Sequence, residues 1–191
     1  MYFLTPLTLG LSLCLTGLAS ADVIKASTPA IKDATILQGT APCPACPEQN
    51  CSKCTLGKDK IFQATSEEPA FGRSLIGFRI PQKGSPVSSC RVQFPAFVKL
   101  YNFPVNVTFS QALSSKWDEA TVSGENAPES GDVFVTVNVP ALQNMGSVDI
   151  TPACKGAAKN GLFSIYVGTE SKAIEIWSKD SENPAILHIE Y

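Results

Sequence analysis

Apolar and polar residues alternate in short runs along most of this 191-residue chain, and sustained helical spacing is nearly absent. The clearest run is Asp132-Val-Phe-Val-Thr-Val-Asn-Val139. There every second residue (Val133, Val135, Val137, Val139) is valine, which predicts one buried face of a strand. Similar alternating or β-branched runs predict strands at 34–38, 60–64, 74–80, 93–101, 105–109, 132–139, 147–150, 162–167, 173–178 and 185–190. Turn chemistry separates them: Pro81, Gly84, Pro86, Gly124, Pro128, Gly131, Gly146, Asn160-Gly161 and Asn183-Pro184. One short helix is expected over 151–159, opened by the Thr151 hydroxyl with Pro152 in the first helical position. Ten short strands without intervening helices predict an all-β domain, a two-sheet β-sandwich of the jelly-roll type.

The N-terminus changes the picture from a fold to a compartment. Tyr2 to Gly17 carry no charge, and the run ends in Leu18-Ala19-Ser20-Ala21, with small residues suited to a signal peptidase. The expected organisation is a signal peptide over 1–21 and a single domain over 22–191, secreted to the extracellular space. The alternative is an uncleaved anchor, but the run is short for a bilayer and no basic cluster follows it. A net charge of −2 with scattered Lys and Arg argues against a nucleic-acid partner. No membrane partner is expected of the mature chain either, and a monomer is the expected state.

With Cys14 in the signal segment, six cysteines remain: Cys43, Cys46, Cys51, Cys54, Cys90 and Cys154. An even number in an exported chain reads as disulfides. Two CxxC pairs, Cys43-Pro-Ala-Cys46 and Cys51-Ser-Lys-Cys54, also suggest zinc or redox chemistry. Only four residues separate them, too few for two knuckles to close on one metal from opposite sides. A disulfide knot inside a polar, Pro-rich insertion at about 39–57 is the favoured reading. Nesting Cys43–Cys54 around Cys46–Cys51 suits a hairpin, although three pairings are open. Cys90 and Cys154 would then join each other.

Three blocks, in order, resemble one family. They are Arg73-Ser-Leu-Ile-Gly-Phe78-Arg-Ile80, then Trp117-Asp-Glu119-Ala-Thr-Val122-Ser-Gly-Glu-Asn126-Ala-Pro128, and finally Ile174-Glu-Ile-Trp-Ser178-Lys179-Asp180 with Pro184-Ala-Ile-Leu-His-Ile-Glu-Tyr191. Together they look like the β-sandwich domains of carbohydrate-binding module family 96, also called DNRLRE-type domains. The chain departs from that pattern at Ser123-Gly124, where a second tryptophan is missing, at Asp180 in place of Glu, and in the cysteine insertion. The resemblance implies a jelly-roll module that binds polysaccharide, with acidic polymers such as alginate as the ligand class.

The side chains agree with binding better than with catalysis. His188 is the one imidazole, and alternation with Leu187 and Ile189 puts it on an exposed strand face. Asp118, Glu119, Glu125 and Glu129 fall in loop-like sequence, where solvated charge is expected. A Lys99–Tyr101 pair as a lyase base is a minor alternative, and the chain is read as a non-enzyme. Sugar binding needs aromatic faces, hydrogen-bond donors and, for acidic sugars, cations. Alternation places Arg73 and Arg79 opposite Ile76, Phe78 and Ile80. It likewise places Phe97, Lys99 and Tyr101 opposite Phe94, Ala96, Val98 and Leu100. Arg73, Arg79, Lys99 and Tyr101 are therefore the expected ligand-binding face. Trp117 and Trp177 are either sugar platforms or core anchors. No cofactor is expected; Asp22, Asp33, Asp149 and Asp180 offer oxygens for a structural calcium ion, but form no dense ligand loop. Asn106-Val107-Thr108 is an N-glycosylation sequon with Asn106 facing outward, so the chain is read as a glycoprotein. The competing reading is an extracellular structural or interaction protein on the same fold.

Overall fold

A computed structural model describes residues 23–67, 71–157 and 160–191, so the expected signal segment and the calcium candidate Asp22 lie outside the described residues. Alternation does become strand. In chain order the elements are β1 (Lys25–Pro29), β2 (Lys32–Gln38), β3 (Pro42–Cys43), β4 (Cys46–Asn50), β5 (Ile61–Ala64), β6 (Phe71–Arg79) and β7 (Ser89–Gln93). They continue with β8 (Val105–Ala112), β9 (Ser130–Val139), β10 (Ser147–Asp149), helix α1 (Thr151–Ala157), β11 (Leu162–Thr169), β12 (Ile174–Trp177) and β13 (Ile186–Glu190). All described pairings are antiparallel. One sheet has the order β1-β13-β7-β10 and the other β2-β6-β11-β8-β9, with two-stranded ribbons β12-β5 and β3-β4 beside them.

The two larger sheets enclose one core. Ile76 and Phe78 of β6, Phe163 and Ile165 of β11 and Phe109 of β8 meet Val92 of β7 and Leu187 and Ile189 of β13. Phe78 and Phe163 stack with ring centroids 5.4 Å apart. Helix α1 closes one end, with Ala153, Cys154 and Ala157 turned into this core. Its first N–H is capped by Asp149 Oδ1 (2.9 Å). The Thr151 hydroxyl instead accepts from the Cys90 backbone N–H at 3.0 Å, which fixes the helix against β7. The Cys90–Cys154 disulfide joins the same two elements.

Three local expectations change. The strand expected over 93–101 stops at Gln93, because Pro95 has no N–H to donate to a ladder. Beyond it the chain turns irregularly and inserts Phe94, Phe97 and Tyr101 into the core, while Leu100 is left exposed. The valine face of β9 is only half covered. Val139 is buried, but Val133 is 55% exposed on an edge strand whose register slips beside Phe109 and Ser110. The third change concerns β6, which is buried on both faces: Leu75 packs with Ala34, Ile36, Ala112, Val122 and Tyr166 in a second, smaller core on the outer side of the five-stranded sheet.

The nested pairing does not form: Cys46 is bonded to Cys54, while Cys43 and Cys51, expected in disulfides, are buried free thiols in the same small cluster. Leu37 of β2 packs into this knot with Leu56, so the insertion is fastened to the sheet by apolar contact. Peptide mapping of the exported, unreduced protein is expected to find Cys46–Cys54 together with Cys43–Cys51. A Cys43–Cys54 linkage, or two reactive thiols after denaturation, would overturn that pairing.

Candidate functional site

Antiparallel register puts alternate residues of each strand on the outer face of the five-stranded sheet. Across it run the rows Ile36–Arg73–Gly168–Thr108–Thr136 and Ala34–Leu75–Tyr166–Ser110–Val133. The second row is partly roofed. The segment between β8 and β9 folds back over it and contributes Trp117, Val122 and Ala127 to the small outer core. In the first row Ile36 is buried in that outer core, while Arg73, Thr108 and Thr136 reach solvent.

Arg73 lies where roofed and open halves meet. Its guanidinium sits 4.4 Å from the centroid of the Tyr166 ring, a cation–π contact. Among the described residues its N–H groups have no hydrogen-bond acceptor and no ion-pair partner. Gly168 lies beside it: a Cβ there would be in ordinary contact with Arg73 Cγ at 3.7 Å, but would crowd Thr108 Oγ1 at 2.7 Å. Tyr166 is nearly fully buried, donates its hydroxyl proton to the Pro128 carbonyl, and has its pKa pushed up to about 12 by burial, with Arg73 acting against that rise. Its ring is thus held rigidly under the guanidinium.

Depressions lie on both sides of Arg73. One, of about 180 Å³, is bordered by Phe71, Thr108 and Gly168; the other, of about 540 Å³, by Gly124, Pro128, Glu129 and Ser130. Gln38 and Arg73 border both, so the two join into one groove across the strands. Phe71 is 52% exposed at its rim, an aromatic face available to a pyranose ring.

The expected site residues separate. Arg73 is in the groove. Arg79, also on β6, is six residues away beyond the roofed half, and it is exposed. Lys99 is exposed on the irregular stretch after β7, away from the five-stranded sheet. Tyr101 is 7% exposed; its hydroxyl oxygen accepts from the Glu175 backbone N–H at 2.9 Å and its ring meets Phe97 edge-on. The single face inferred from alternation therefore does not form, because it depended on a strand that Pro95 ends. Trp117 anchors the roof: its Nε1 donates to Ser164 Oγ (2.9 Å), and the Lys32 ammonium lies 4.0 Å from its ring. Trp177 is half-buried on β12, opposite Ile61. Neither tryptophan borders the groove. Gln38, Phe71, Gly168 and Tyr166 escaped the sequence reading, since only pairing brings them beside Arg73.

A second cluster sits at the end of β2. Asp33, Glu119 and Asp180 bring carboxylates within 4.8 Å of one another. Lys179 fills the cationic position between them, with Nζ 3.0 Å from Glu119 Oε1 and 2.9 Å from Asp180 Oδ2. Asp33 accepts from the Lys179 backbone N–H (2.8 Å), and its own N–H donates to Glu119 Oε1 (2.7 Å). These carboxylates already accept from Lys179 and from the Asp33 backbone N–H. Asp149, at the start of α1, is occupied in capping. His188 is exposed and shares a hydrogen bond with Ser27 Oγ at 2.8 Å.

Of the blocks that resembled a family, the first thus puts Arg73 in the groove, while the middle and closing blocks meet where Glu119 pairs with Lys179. The family model for carbohydrate-binding module family 96 matches residues 50–191. The chain belongs to that family. It is also similar to an uncharacterized secreted protein of Arthroderma benhamiae, 55% identical over 165 residues, which cover 86% of this chain and 85% of that one. Family 96 is a family of binding modules, and it indicates no catalytic class for this chain. In this family-96 chain the middle signature block supplies the roof residues Trp117, Val122 and Ala127, Lys179 of the closing block pairs with Glu119, and the first block carries Arg73.

Proposed function

We propose that this secreted family-96 protein binds polysaccharide non-catalytically in the groove through Arg73, and that the sugar is acidic. The observation that carries the reading is the Arg73 guanidinium 4.4 Å from the Tyr166 ring centroid, its N–H groups without an acceptor among the described residues, at the junction of two depressions. A guanidinium without an acceptor is free for a uronate carboxylate, which it can grip with two parallel bonds. Phe71 offers a stacking face, and Gln38, Thr108 and Ser130 offer hydroxyl and amide partners for sugar hydroxyls. Exposed charge pairs are screened over about 8–10 Å at physiological ionic strength, so affinity should be modest and fall with salt.

Isothermal titration with alginate, pectate and neutral glucans tests this. Arg73→Ala is expected to weaken binding to acidic polymers roughly tenfold, the scale of one charge-assisted hydrogen-bonding group. Its melting temperature should fall by only a few degrees, because one half-buried cation–π contact is lost. Arg79→Ala and Lys99→Ala, outside the groove, should bind like the parent protein. Binding of neutral glucans alone would refute the acidic ligand. No binding at all would favour the extracellular structural or interaction protein.

A further inference from the structure

The open half of the sheet also carries the sequon. Asn106 and Thr108 both lie on the outer face of β8, opposite Asn138 and Thr136 of β9. Thr108 borders the smaller depression. Asn106 is two residues further along the same face, a step of about 7 Å. Its carboxamide is already oriented: Asn138 Nδ2 donates to Asn106 Oδ1 at 2.8 Å, while Asn106 Nδ2 makes one long contact, 3.5 Å, to Glu170 Oε2. An N-linked sugar leaves Oδ1 and one N–H in place, so the bond to Asn138 survives modification. The nitrogen left for the sugar stands at the Phe71–Thr108 end of the groove.

We propose that Asn106 is N-glycosylated and that its glycan closes this end of the groove, leaving it open at the Glu129–Ser130 end alone. In the transfer, Asn106 Nδ2 displaces the diphosphate of a lipid-linked oligosaccharide. A C1–Nδ2 bond forms, the C1–O bond to the diphosphate breaks, and the amide proton leaves with the released lipid diphosphate. The consequence, which rests on the groove being the sugar site, concerns ligand shape. A groove open at both ends accepts an internal stretch of a long polymer. A groove closed at one end accepts chain ends and short oligosaccharides.

The experiment compares the same sequence exported by a eukaryotic host and by a bacterial periplasm. Each form is titrated with alginate and with a neutral β-glucan, both as polymer and as trisaccharide. Mass spectrometry of the Asn106 peptide reads occupancy separately. The expected result is an occupied Asn106 in the eukaryotic product and polymer affinity lower by about fivefold or more than in the periplasmic form, with trisaccharide affinity unchanged. Asn106→Gln made in the eukaryotic host should regain polymer binding. An unmodified Asn106 peptide, or equal polymer affinity for the two forms, overturns the proposal. So does an equal loss for polymer and trisaccharide, which would mean that the glycan covers the whole groove. If neither form binds any probe, the sugar-site reading fails and the closed end fails with it, while occupancy at Asn106 still stands or falls on its own spectrum.

Discussion

Replacing Cys90 and Cys154 together by alanine is expected to lower the free energy of unfolding by about 4 kcal/mol, the chain-entropy value for a closed loop of this size. The bridge spans 64 residues of sequence, and both cysteines are fully buried. It links β7, an inner strand of the four-stranded sheet, to helix α1. The unfolded chain without it recovers the freedom of everything between, including all of β8, β9 and β10. The folded state loses little, since the Thr151 hydroxyl still holds the helix to the Cys90 backbone. Urea denaturation of the exported parent and the double variant measures the difference, and thermal scans should show a fall of roughly 10 °C. A change below about 1 kcal/mol would mean that the bridge does not constrain the unfolded ensemble.

Stability should also depend on pH through Asp33, in the direction opposite to that of a salt-bridged carboxylate. Burial pushes the Asp33 carboxyl up from 3.8 to about 6; the Lys179 N–H and ammonium work against that rise, and the negative Glu119 and Asp180 add to it. Between the two values the folded protein holds a proton that the unfolded chain has released. The contribution is therefore fully present below about pH 4 and is lost as pH rises through about 6. A shift of this size corresponds to about 3 kcal/mol. Asp33→Asn keeps an oxygen to accept from the Lys179 N–H and removes the titration. The difference in unfolding free energy between parent and variant should accordingly move by about 2.5 kcal/mol in the variant's favour from pH 4 to pH 7.5. Other carboxylates cancel in that difference. If parent and variant change in parallel over this range, Asp33 is not the titrating group.

The clamp around Asp33 also explains why three sequence blocks could be recognised without revealing what they do. Glu119 and Lys179 are far from Asp33 in sequence, yet each bonds to its backbone or carboxylate. Glu119 belongs to the same segment as Trp117 and Val122, which pack against Leu75 and Tyr166. Arg73, in the first block, differs: it stands at the edge of what the roof covers. Nothing in a linear pattern separates those two roles, because both ask for a charged residue beside an apolar strand.

Alternation, turn residues and cysteine parity were enough to determine an all-β sandwich, the approximate position of most strands, and the Cys90–Cys154 bridge. These are local or pairwise properties: a side chain's face follows from a period of two, and two buried cysteines in an exported chain have one partner each. The N-terminal run determined the expectation of export in the same way. Tertiary structure decided the rest. Period two says which residues share a face, not what lies over it, so the roof from the β8–β9 segment and the groove it leaves open had to come from packing. One proline was enough to end the strand on which Lys99 and Tyr101 were to join Arg73, and the aromatic then went to the core. In the knot, four cysteines within twelve residues allow three pairings at little difference in loop entropy. The contact of Leu37 with the buried cysteines, available only in the folded chain, accompanies the Cys46–Cys54 bridge.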